Sequence, residues 1–224
     1  MMHSSSEALQ GLISEKAGGS SFGYARFLKR VLDLVLGLLI LPSILPVLLV
    51  LYVLVRLEGG PGFFGHQRVG RSGKMFKCWK IRTMVPDAQQ RLQELLASDP
   101  NAKAEWERDQ KLRNDPRVTK LGNFLRSSSL DELPQIWNVL KGEMSLIGPR
   151  PVTQAEMIRY GAQKDVYLAL RPGITGLWQI SGRNDLSYSE RVSLDASYLE
   201  RMSLRQDLRI LLGTVNTVLK RTGC

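Results

Sequence analysis

The stretch LVLGLLILPSILPVLLVLYVLV, residues 34–55, decides what kind of fold this chain has. It carries no charge, and a straight helix of that length would span roughly 30 Å, the hydrocarbon thickness of a bilayer. Pro42 and Pro46 lie near its middle, with Ser43 between them. Because each proline removes a backbone donor, the sequence predicts that the helix breaks or bends sharply there.

Three interpretations of this segment are open. Basic residues flank both ends, Lys29 and Arg30 before it and Arg56 after it, so the charge rule for membrane orientation favours neither end. We favour a re-entrant helix hairpin over residues 26–57 that enters one leaflet and returns, with Ser43 or a neighbouring element bonding the freed carbonyls. A single spanning helix comes second, and a buried helix of a soluble core is the least favoured.

The composition narrows the function. The 31 Lys and Arg residues outnumber the 21 Asp and Glu residues, which predicts polyanionic partners: nucleic acid, an anionic membrane or phosphorylated substrates. Two cysteines, Cys78 and Cys224, argue against a disulfide framework or a cysteine metal cluster. Two histidines, His3 and His66, argue against a Ser-His-Asp triad or a multi-histidine metal site.

The expected fold is a mostly helical α/β domain on the membrane surface. Residues 1–25 are polar and rich in Gly and Ser, which predicts a flexible tail, and residues 58–224 form the cytoplasmic catalytic domain. A small sheet is predicted from residues 62–82, with a contribution from 174–180. Two short surface helices should cover residues 86–113. From Leu204 onward an amphipathic helix either lies flat on the membrane or packs on the core.

The most basic stretch follows the apolar segment, and its cations are spaced along the predicted strands. Lys80 and Arg82 occupy alternate positions, so on a strand they would share a face that could hold phosphates. The alternative is a solvated basic edge facing lipid headgroups. The cations are Arg68, Arg71, Lys74, Lys77, Lys80 and Arg82.

Residues 127–151, SSSLDELPQIWNVLKGEMSLIGPRP, place Asp131 and Glu132 side by side. One interpretation is structural: Ser129-x-x-Glu132 fits a capping box at a helix start. The other is catalytic, because adjacent carboxylates near cations can supply a nucleophile and a ligand for Mg²⁺. The cations expected nearby, suited to bidentate phosphate recognition, are Arg126, Arg150 of the Gly-Pro-Arg-Pro turn, and Arg171.

Ordered sequence blocks over roughly residues 27–223 resemble the bacterial sugar transferase family, the monotopic phosphoglycosyl transferases. Two departures are visible: Leu45 precedes Pro46 where the family often has Ser, and Ile81 replaces the usual Phe after Lys80. The blocks are KRVLD (29–33), FFGHQRVGRSGKMFKCWKIRTM (63–84), NDPRVTKLGNFLR (114–126), SLDELPQIWNVLKGEMSLIGPRP (129–151) and RPGITGLWQISGRN (171–184).

The resemblance implies a reaction and site roles. A hexose-1-phosphate would pass from a UDP-sugar to undecaprenyl phosphate with release of UMP, at the cytoplasmic face of the bacterial inner membrane. Asp131 would be the nucleophile, Glu132 would hold Mg²⁺ or manage the incoming phosphate, and Lys80 and Arg150 would bind phosphates. Asp195 matches a further acidic position of the family, and Pro46 matches its hairpin-breaking proline.

The resemblance favours galactose as the sugar, then glucose, in exopolysaccharide or O-antigen synthesis. The expected partners are the UDP-sugar, undecaprenyl phosphate and membrane lipids, with no nucleic acid and with homo-oligomer formation left open. Two alternatives remain. One is a basic non-enzymatic membrane adaptor that binds anionic lipid or nucleic acid, in which Asp131 and Glu132 only cap a helix; the other is a Mg²⁺-dependent hydrolase of UDP-sugars.

Overall fold

The computed structural model describes residues 24–109, 112–182 and 186–219, so the predicted tail lies almost wholly outside them. The described chain is mostly helical, as expected, with two small sheets. The helices are α1 (Lys29–Leu57), α2 (Ala88–Ser98), α3 (Pro100–Asp109), α4 (Lys120–Ser128), α5 (Gln135–Lys141), α6 (Gln154–Met157), α7 (Lys164–Ala169), α8 (Leu177–Ser181), α9 (Tyr188–Glu200) and α10 (Leu204–Leu219). The strands are β1 (Phe63–Val69), β2 (Met75–Ile81), β3 (Ser145–Ile147) and β4 (Gly173–Thr175).

Helix α1 runs without interruption through Pro42 and Pro46, so the predicted division into two helices is not seen. A proline has a helical φ and loses only its own donor, so a helix can continue through it with a missing hydrogen bond. Ser43 is exposed and makes no hydrogen bond within the described chain, contrary to its predicted compensating role. By length and composition α1 is the one described helix that could cross a membrane.

Both ends of α1 pack against the same globular body. Near its start, the buried Asp33 accepts hydrogen bonds from Ser145 Oγ at 3.0 Å and from the Leu146 backbone N–H at 2.9 Å. Near its end, Leu51 and Val55 lie in a core cluster with Ile81 of β2 and Leu125 of α4. Large apolar side chains between the two ends remain exposed, among them Leu38, Leu39, Leu45, Leu49 and Val50.

Strands β1 and β2 form the predicted hairpin. They pair antiparallel from Phe63 opposite Ile81 to Val69 opposite Met75. Because paired residues of a sheet point to the same side, Lys80 and Phe64 share a face with Cys78 and His66. This face is the one that meets the two carboxylates described below.

The second sheet joins the Gly-Pro-Arg-Pro loop to the Arg-Pro-Gly segment. Strands β3 and β4 are parallel and three residues long, and helix α8 begins at Leu177, so most of the predicted 174–180 strand is helical. A Cβ on Gly148 would lie 2.3 Å from the backbone oxygen of Arg171. Glycine is therefore needed at this position for the two segments to approach so closely.

The two surface helices predicted over residues 86–113 are confirmed as α2 and α3, divided between Asp99 and Pro100. The C-terminal helix α10 is also confirmed, and one side of it packs on the core through the fully buried Ile210. Its other side exposes Leu208, Leu212 and Val215. Core packing, one of the two predicted roles of this helix, is thus seen, and an apolar outer side is left.

Candidate active site

Asp131 and Glu132 lie in a single 3₁₀ turn, Leu130–Glu132, between α4 and α5. The predicted capping box is wrong. Ser129 has a φ of 58° and ends α4 in the left-handed region, and its side chain makes no capping hydrogen bond. The chain reverses at Ser129, so the two carboxylates are positioned by a tight turn and by α5, which begins after Pro134.

Lys80 bridges the two carboxylates. Its Nζ lies 2.7 Å from Glu132 Oε1 and 3.4 Å from Asp131 Oδ2. The Asp131 side chain is only 9 % exposed, whereas those of Lys80 and Glu132 are each 33 % exposed. The arrangement is a cation and two acids at a partly open surface, with the acid predicted to be the nucleophile lying deepest.

Burial and charge set the protonation of this group. Burial raises the pKa of Asp131, and although Lys80 lowers it, Glu132 raises it further, so the net shift is upward. For Lys80, burial lowers the pKa, but the charges of Glu132 and Asp131 outweigh that effect and raise it. Lys80 therefore remains a cation at neutral pH and offsets the cost of ionising the buried Asp131.

Asn138 of α5 fixes the strand that carries Lys80. Its side-chain amide donates to the backbone oxygen of Lys77 and to Glu143 Oε2, and its Oδ1 accepts from the backbone N–H of Trp79. Asn138 is fully buried, so its amide depends on these partners in place of water. This residue ties β2 to the helix that follows the dyad, and thus sets the position of Lys80 relative to the carboxylates.

Arg126 lies in the last turn of α4, three residues before the reversal at Ser129. Its Nε donates to Thr83 Oγ1 at 3.0 Å, and its charge is among those that lower the pKa of Asp131. A Cβ on Gly122 would lie 2.0 Å from the backbone oxygen of Thr83, so this glycine lets α4 rest directly on the chain after β2. Arg126 is therefore near enough for its charge to act on Asp131, while its hydrogen bond is to Thr83, and its role in binding phosphate stays a prediction.

Arg82 does not share a face with Lys80. Its guanidinium donates to the backbone oxygens of Val55, Gly59, Pro61 and Met84, and the residue is buried. Strand β2 ends at Ile81, so the alternation used for the prediction stops one residue too early. A phosphate would have to displace several carbonyls, and we therefore correct the role of Arg82 to that of a clamp on the end of α1.

Arg150 lies beside a second charged group on the β1–β2 hairpin. Glu156 Oε2 pairs with Arg68 at 2.8 Å and Glu156 Oε1 with Arg150 at 3.4 Å. The charges of this group and those of Lys80 and Glu132 all act on the buried Cys78 thiol, whose pKa burial raises to about 11. Arg150 is thus on the same face as the dyad but is paired with Glu156, not with Asp131 or Glu132.

His66 occupies the same hairpin face, directly opposite Cys78. Partial burial lowers its pKa, and the charges of Arg68, Lys80 and Arg150 lower it further. The imidazole is accordingly neutral at pH 7. The Phe64 ring lies 6.0 Å from that of His66, which gives this face an aromatic as well as a cationic part.

Asp195 lies among tyrosines and makes no hydrogen bond with the dyad. It accepts a hydrogen bond from Tyr160 at 2.8 Å, and burial raises its pKa to about 7. The Tyr160 ring packs at 5.0 Å against that of Tyr167, whose hydroxyl donates to the backbone oxygen of Val69 and accepts from the backbone N–H of Val152. Through these tyrosines Asp195 is linked to Val152, two residues after Arg150, and its predicted role in the site stays a prediction.

Arg171 is not at the dyad either. Its Nε donates to the backbone oxygen of Gly142 at 2.9 Å, at the far end of α5. The charges that act on it are those of Arg71, Arg30 and Asp33. Of the arginines expected near the two carboxylates, Arg126 lies where its charge acts on Asp131, whereas α5 keeps Arg171 away from the dyad.

Sequence analysis missed Asn138, His66 and Glu156, and it gave Arg68 only as one cation of the basic stretch. The strand alternation that placed Lys80 also places Cys78 and Phe76 on its face, and pairing with β1 would have added His66 and Arg68. Glu156 completes a local capping box with Thr153, but the partners of Asn138 and Arg68 lie 59 to 88 residues away, so no local pattern indicates those contacts. Such contacts are set by the packing of separate elements.

The donor set of this site fits Mg²⁺ only in part. Within the described residues no group of three or more His, Cys, Asp or Glu side chains could hold a metal ion. Mg²⁺ is commonly bound through one or two carboxylates together with substrate phosphates. Asp131 and Glu132 supply such a pair, so a bound diphosphate would have to complete the coordination.

Known proteins are similar to this chain along almost its whole length. The "UDP-galactose-lipid carrier transferase" of Erwinia amylovora and the "Undecaprenyl-phosphate galactose phosphotransferase" of Salmonella typhimurium are each 53% identical over 199 residues, which is 89% of this chain and 42% of each relative. The chain therefore spans about two-fifths of the length of these relatives. The "Exopolysaccharide production protein ExoY" of Sinorhizobium fredii is 46% identical over 196 residues, 87% of both chains.

The family model described as "Bacterial sugar transferase" matches residues 24–221, a range that includes α1, the hairpin, the dyad and α10. This range holds every residue of the site described above. The chain belongs to the bacterial sugar transferase family.

Proposed function

We propose that this protein transfers a hexose-1-phosphate from a UDP-sugar to undecaprenyl phosphate and releases UMP, as the first membrane step of exopolysaccharide or O-antigen synthesis. The observation that supports it most is the bridge from Lys80 Nζ to Asp131 and Glu132 on a partly open surface. A buried carboxylate with a lysine counter-charge beside it is suited to attack a phosphorus atom, and the lysine can then neutralise phosphate oxygens.

The proposed reaction has two displacement steps. In the first, an Asp131 carboxylate oxygen forms a bond to the phosphorus that carries the sugar, and the bond from that phosphorus to the UMP oxygen breaks. In the second, an oxygen of undecaprenyl phosphate attacks the same phosphorus and the Asp131 carboxylate leaves. The products are UMP and undecaprenyl-diphosphate-hexose, and Asp131 is regenerated.

The other residues bind and orient. Lys80 lies between the two acids, and Arg126 adds a second cation near Asp131. Arg150, Arg68 and His66 extend the basic face along the hairpin, where the remaining phosphate and nucleoside could lie. Glu132, with Asp131, would hold Mg²⁺, which when bound neutralises the charge of the diphosphate.

Membrane attachment through a re-entrant α1 forms part of the same proposal. Its support is that Asp33 and Val55, near opposite ends of the helix, both pack on one globular body while apolar side chains between them are exposed. A straight spanning helix would carry its ends to opposite sides of the membrane. We place the body at the cytoplasmic face of the bacterial inner membrane, where the nucleotide donor is available.

Galactose is the proposed sugar and glucose the next candidate. The names of two relatives that are 53% identical to this chain refer to galactose. A screen of UDP-sugars for UMP release, with undecaprenyl phosphate and Mg²⁺ present, would identify the donor.

Isotope exchange tests the covalent step. Purified protein is incubated with UDP-galactose, Mg²⁺ and labelled UMP, without lipid acceptor. A phospho-aspartyl intermediate forms reversibly, so label should enter UDP-galactose, and Asp131→Asn should lose both exchange and net turnover by at least ~10³-fold. Substantial turnover in Asp131→Asn would refute the assigned nucleophile.

The dependence on the lipid separates the alternatives. The proposal predicts sustained UMP release only when undecaprenyl phosphate is added. A hydrolase of UDP-sugars would release UMP without the lipid, and a membrane adaptor would show no turnover and binding that collapses with salt.

A further inference from the structure

A second basic group lies at the end of the hairpin opposite to Lys80. Arg71 belongs to the turn Arg71–Gly73 between β1 and β2, and each strand is seven residues long, on the order of 20 Å. Lys80 contacts the dyad near the other end of β2. Arg71, Arg171 and Arg30, called here the distal arginine cluster, therefore lie outside the candidate active site.

Arg30 and Arg171 lie at the C-terminal end of α5, and the turn that carries Arg71 packs beside α7, which ends two residues before Arg171. Arg30 donates to the backbone oxygens of Val139 at 2.6 Å and Leu140 at 3.0 Å, and Arg171 donates through Nε to that of Gly142. These bonds occupy Arg30 and one nitrogen of Arg171, which cap the helix. They leave the remaining nitrogens of Arg171 and the whole guanidinium of Arg71 for other acceptors.

Within the described residues the distal arginine cluster has no ion pair at contact distance, although the more distant charge of Asp33 acts on Arg30 and Arg171. None of its three arginines has a carboxylate oxygen within 4.0 Å there, and Asp33 is committed to Ser145 and Leu146. Burial lowers the pKa of Arg171, and the charges of Arg71 and Arg30 lower it further, so the like charges repel one another. An anion placed between Arg71 and Arg171 would relieve that repulsion and complete their hydrogen bonds.

The cluster lies where the apolar helix begins. Arg30 is in the first turn of α1, and Phe27 and Leu28 just before it are exposed. A Cβ on Gly37 would lie 3.3 Å from Leu140 Cδ2, so the end of α5 is next to the first turns of α1. Arginines at the boundary between an apolar helix and water are placed to meet lipid phosphates.

We propose that Arg71 and Arg171, backed by Arg30, bind the headgroup phosphate of an anionic membrane lipid at a site separate from the transfer reaction. Arg71 is half-buried and its turn packs beside α7. Its side chain is therefore more restricted than that of an exposed surface cation. The site would fix how the globular body is seated against the bilayer. It goes beyond the proposed transfer reaction and does not depend on it.

Binding of a soluble probe tests this site. The full chain, purified in a neutral detergent, is titrated with short-chain phosphatidylglycerol in a calorimeter, and separately with short-chain phosphatidylcholine and with inorganic phosphate. The variants are Arg71→Gln, Arg71→Lys and, as a matched control, Lys74→Gln, which removes an exposed cation three residues away. Melting temperatures and UMP release are measured on each.

Saturable binding of phosphatidylglycerol is expected, weakened at least ~10-fold by Arg71→Gln, partly restored by Arg71→Lys and changed less than ~2-fold by Lys74→Gln. UMP release in detergent should be the same for Arg71→Gln and the parent protein. Absence of saturable binding, or equal weakening by Arg71→Gln and Lys74→Gln, would overturn the proposal. Inorganic phosphate binding as tightly as the lipid would assign the site to a soluble anion instead.

Discussion

At the scale of single residues, the site depends on a balance between burial and charge. Asp131 is buried enough for its pKa to rise, and a protonated carboxyl would be a poor nucleophile. Lys80, held at 3.4 Å from Asp131 and 2.7 Å from Glu132, opposes that rise. The same lysine is positioned to take up phosphate charge when a substrate arrives, so one side chain serves both needs.

The pH dependence of turnover should report this balance. In the proposed reaction Asp131 attacks as the ionised carboxylate, so kcat/KM should fall at low pH through a pKa above the usual aspartate range. In Lys80→Met the counter-charge is lost, so this acid limb should move to higher pH and kcat/KM should fall by ~10²-fold or more. UMP release measured from pH 4 to pH 8 gives both quantities.

The matched control is Lys77→Met, which removes an exposed cation from the same strand. Its acid limb should coincide with that of the parent protein. An unchanged limb in Lys80→Met would show that Lys80 does not act on the charge of Asp131.

Asp195 predicts a pH dependence of stability. Its pKa is raised by burial to about 7 in the folded protein, so the folded state favours the protonated form. The contribution of Asp195 to the free energy of unfolding is therefore fully present below pH ~4. It is lost as the pH rises through 7, and the total loss is up to ~4 kcal/mol. Asp195→Asn should therefore raise the melting temperature at pH 8 and have little effect at pH 4.

The measurement is a thermal melt in detergent at both pH values. Asp165→Asn, an exposed acid on α7, provides the comparison and should shift the melt little at either pH. A stabilisation by Asp195→Asn that is equal at both pH values would contradict a titrating Asp195.

At the scale of elements, α1 combines a continuous helix with two fixed ends. Pro42 and Pro46 leave the carbonyls of Leu38 and Pro42 without their usual helical donors, which weakens the middle of the helix without ending it. Arg82 clamps the C-terminal end through the carbonyls of Val55 and Gly59. A weakened middle between two fixed ends is what a helix needs in order to enter and leave one side of a bilayer.

Single-cysteine labelling tests that topology. Phe27→Cys and Leu57→Cys place exposed thiols just before α1 and at its end, in a background with Cys78→Ala and Cys224→Ser. A membrane-impermeant maleimide applied to inverted membrane vesicles should label both sites. Applied to the outer face of intact cells made permeable only in the outer membrane, it should label neither.

The prolines supply the control. In Pro42→Leu/Pro46→Leu the helix regains both donors and stiffens, so part of the population should become spanning and expose one site at each face. Labelling of the two sites from opposite faces in the background without proline changes would refute the re-entrant arrangement.

At the scale of the whole molecule, one buried carboxylate joins the two ends of the chain. Asp207 of α10 accepts hydrogen bonds from Tyr24 at 2.5 Å, Lys29 at 2.7 Å and Tyr198 at 2.7 Å. Asp207 is fully buried, so it is held by a cation and two hydroxyls in a place from which water is excluded. The network anchors the start of α1 to the last helix.

Removing this carboxylate should be costly. Asp207→Ala leaves the Lys29 ammonium buried without its partner, which typically costs ~3–5 kcal/mol. For a protein of this size that corresponds to a fall of about 6–20 °C in melting temperature. Asp165→Asn again serves as the exposed comparison, and a loss below about 1 kcal/mol would show that the network is not a structural anchor.

The parts of the fold that were predicted correctly are those encoded by patterns among neighbouring residues. The hairpin over 63–81, helices α2 and α3, and α10 were predicted because alternation, Asp99-Pro100 and helical spacing are written in neighbouring residues. The prediction of a capping box at Ser129 was wrong because the same residue pattern is also compatible with a left-handed helix end. The prediction that Arg82 shares a face with Lys80 was wrong because strand β2 ends at Ile81, one residue before Arg82.

The amino-acid sequence by itself determined that this chain has an apolar, proline-containing segment, a basic hairpin and an acidic pair, since each is a property of residue type and spacing. Only the tertiary structure decided which cations meet the acids. Lys80 contacts Asp131, and the charge of Arg126 acts on it, because Asn138 and Gly122 bring β2, α4 and α5 together, whereas α5 keeps Arg171 at its opposite end. Long-range packing chooses among equivalent charges, and no local pattern encodes that choice.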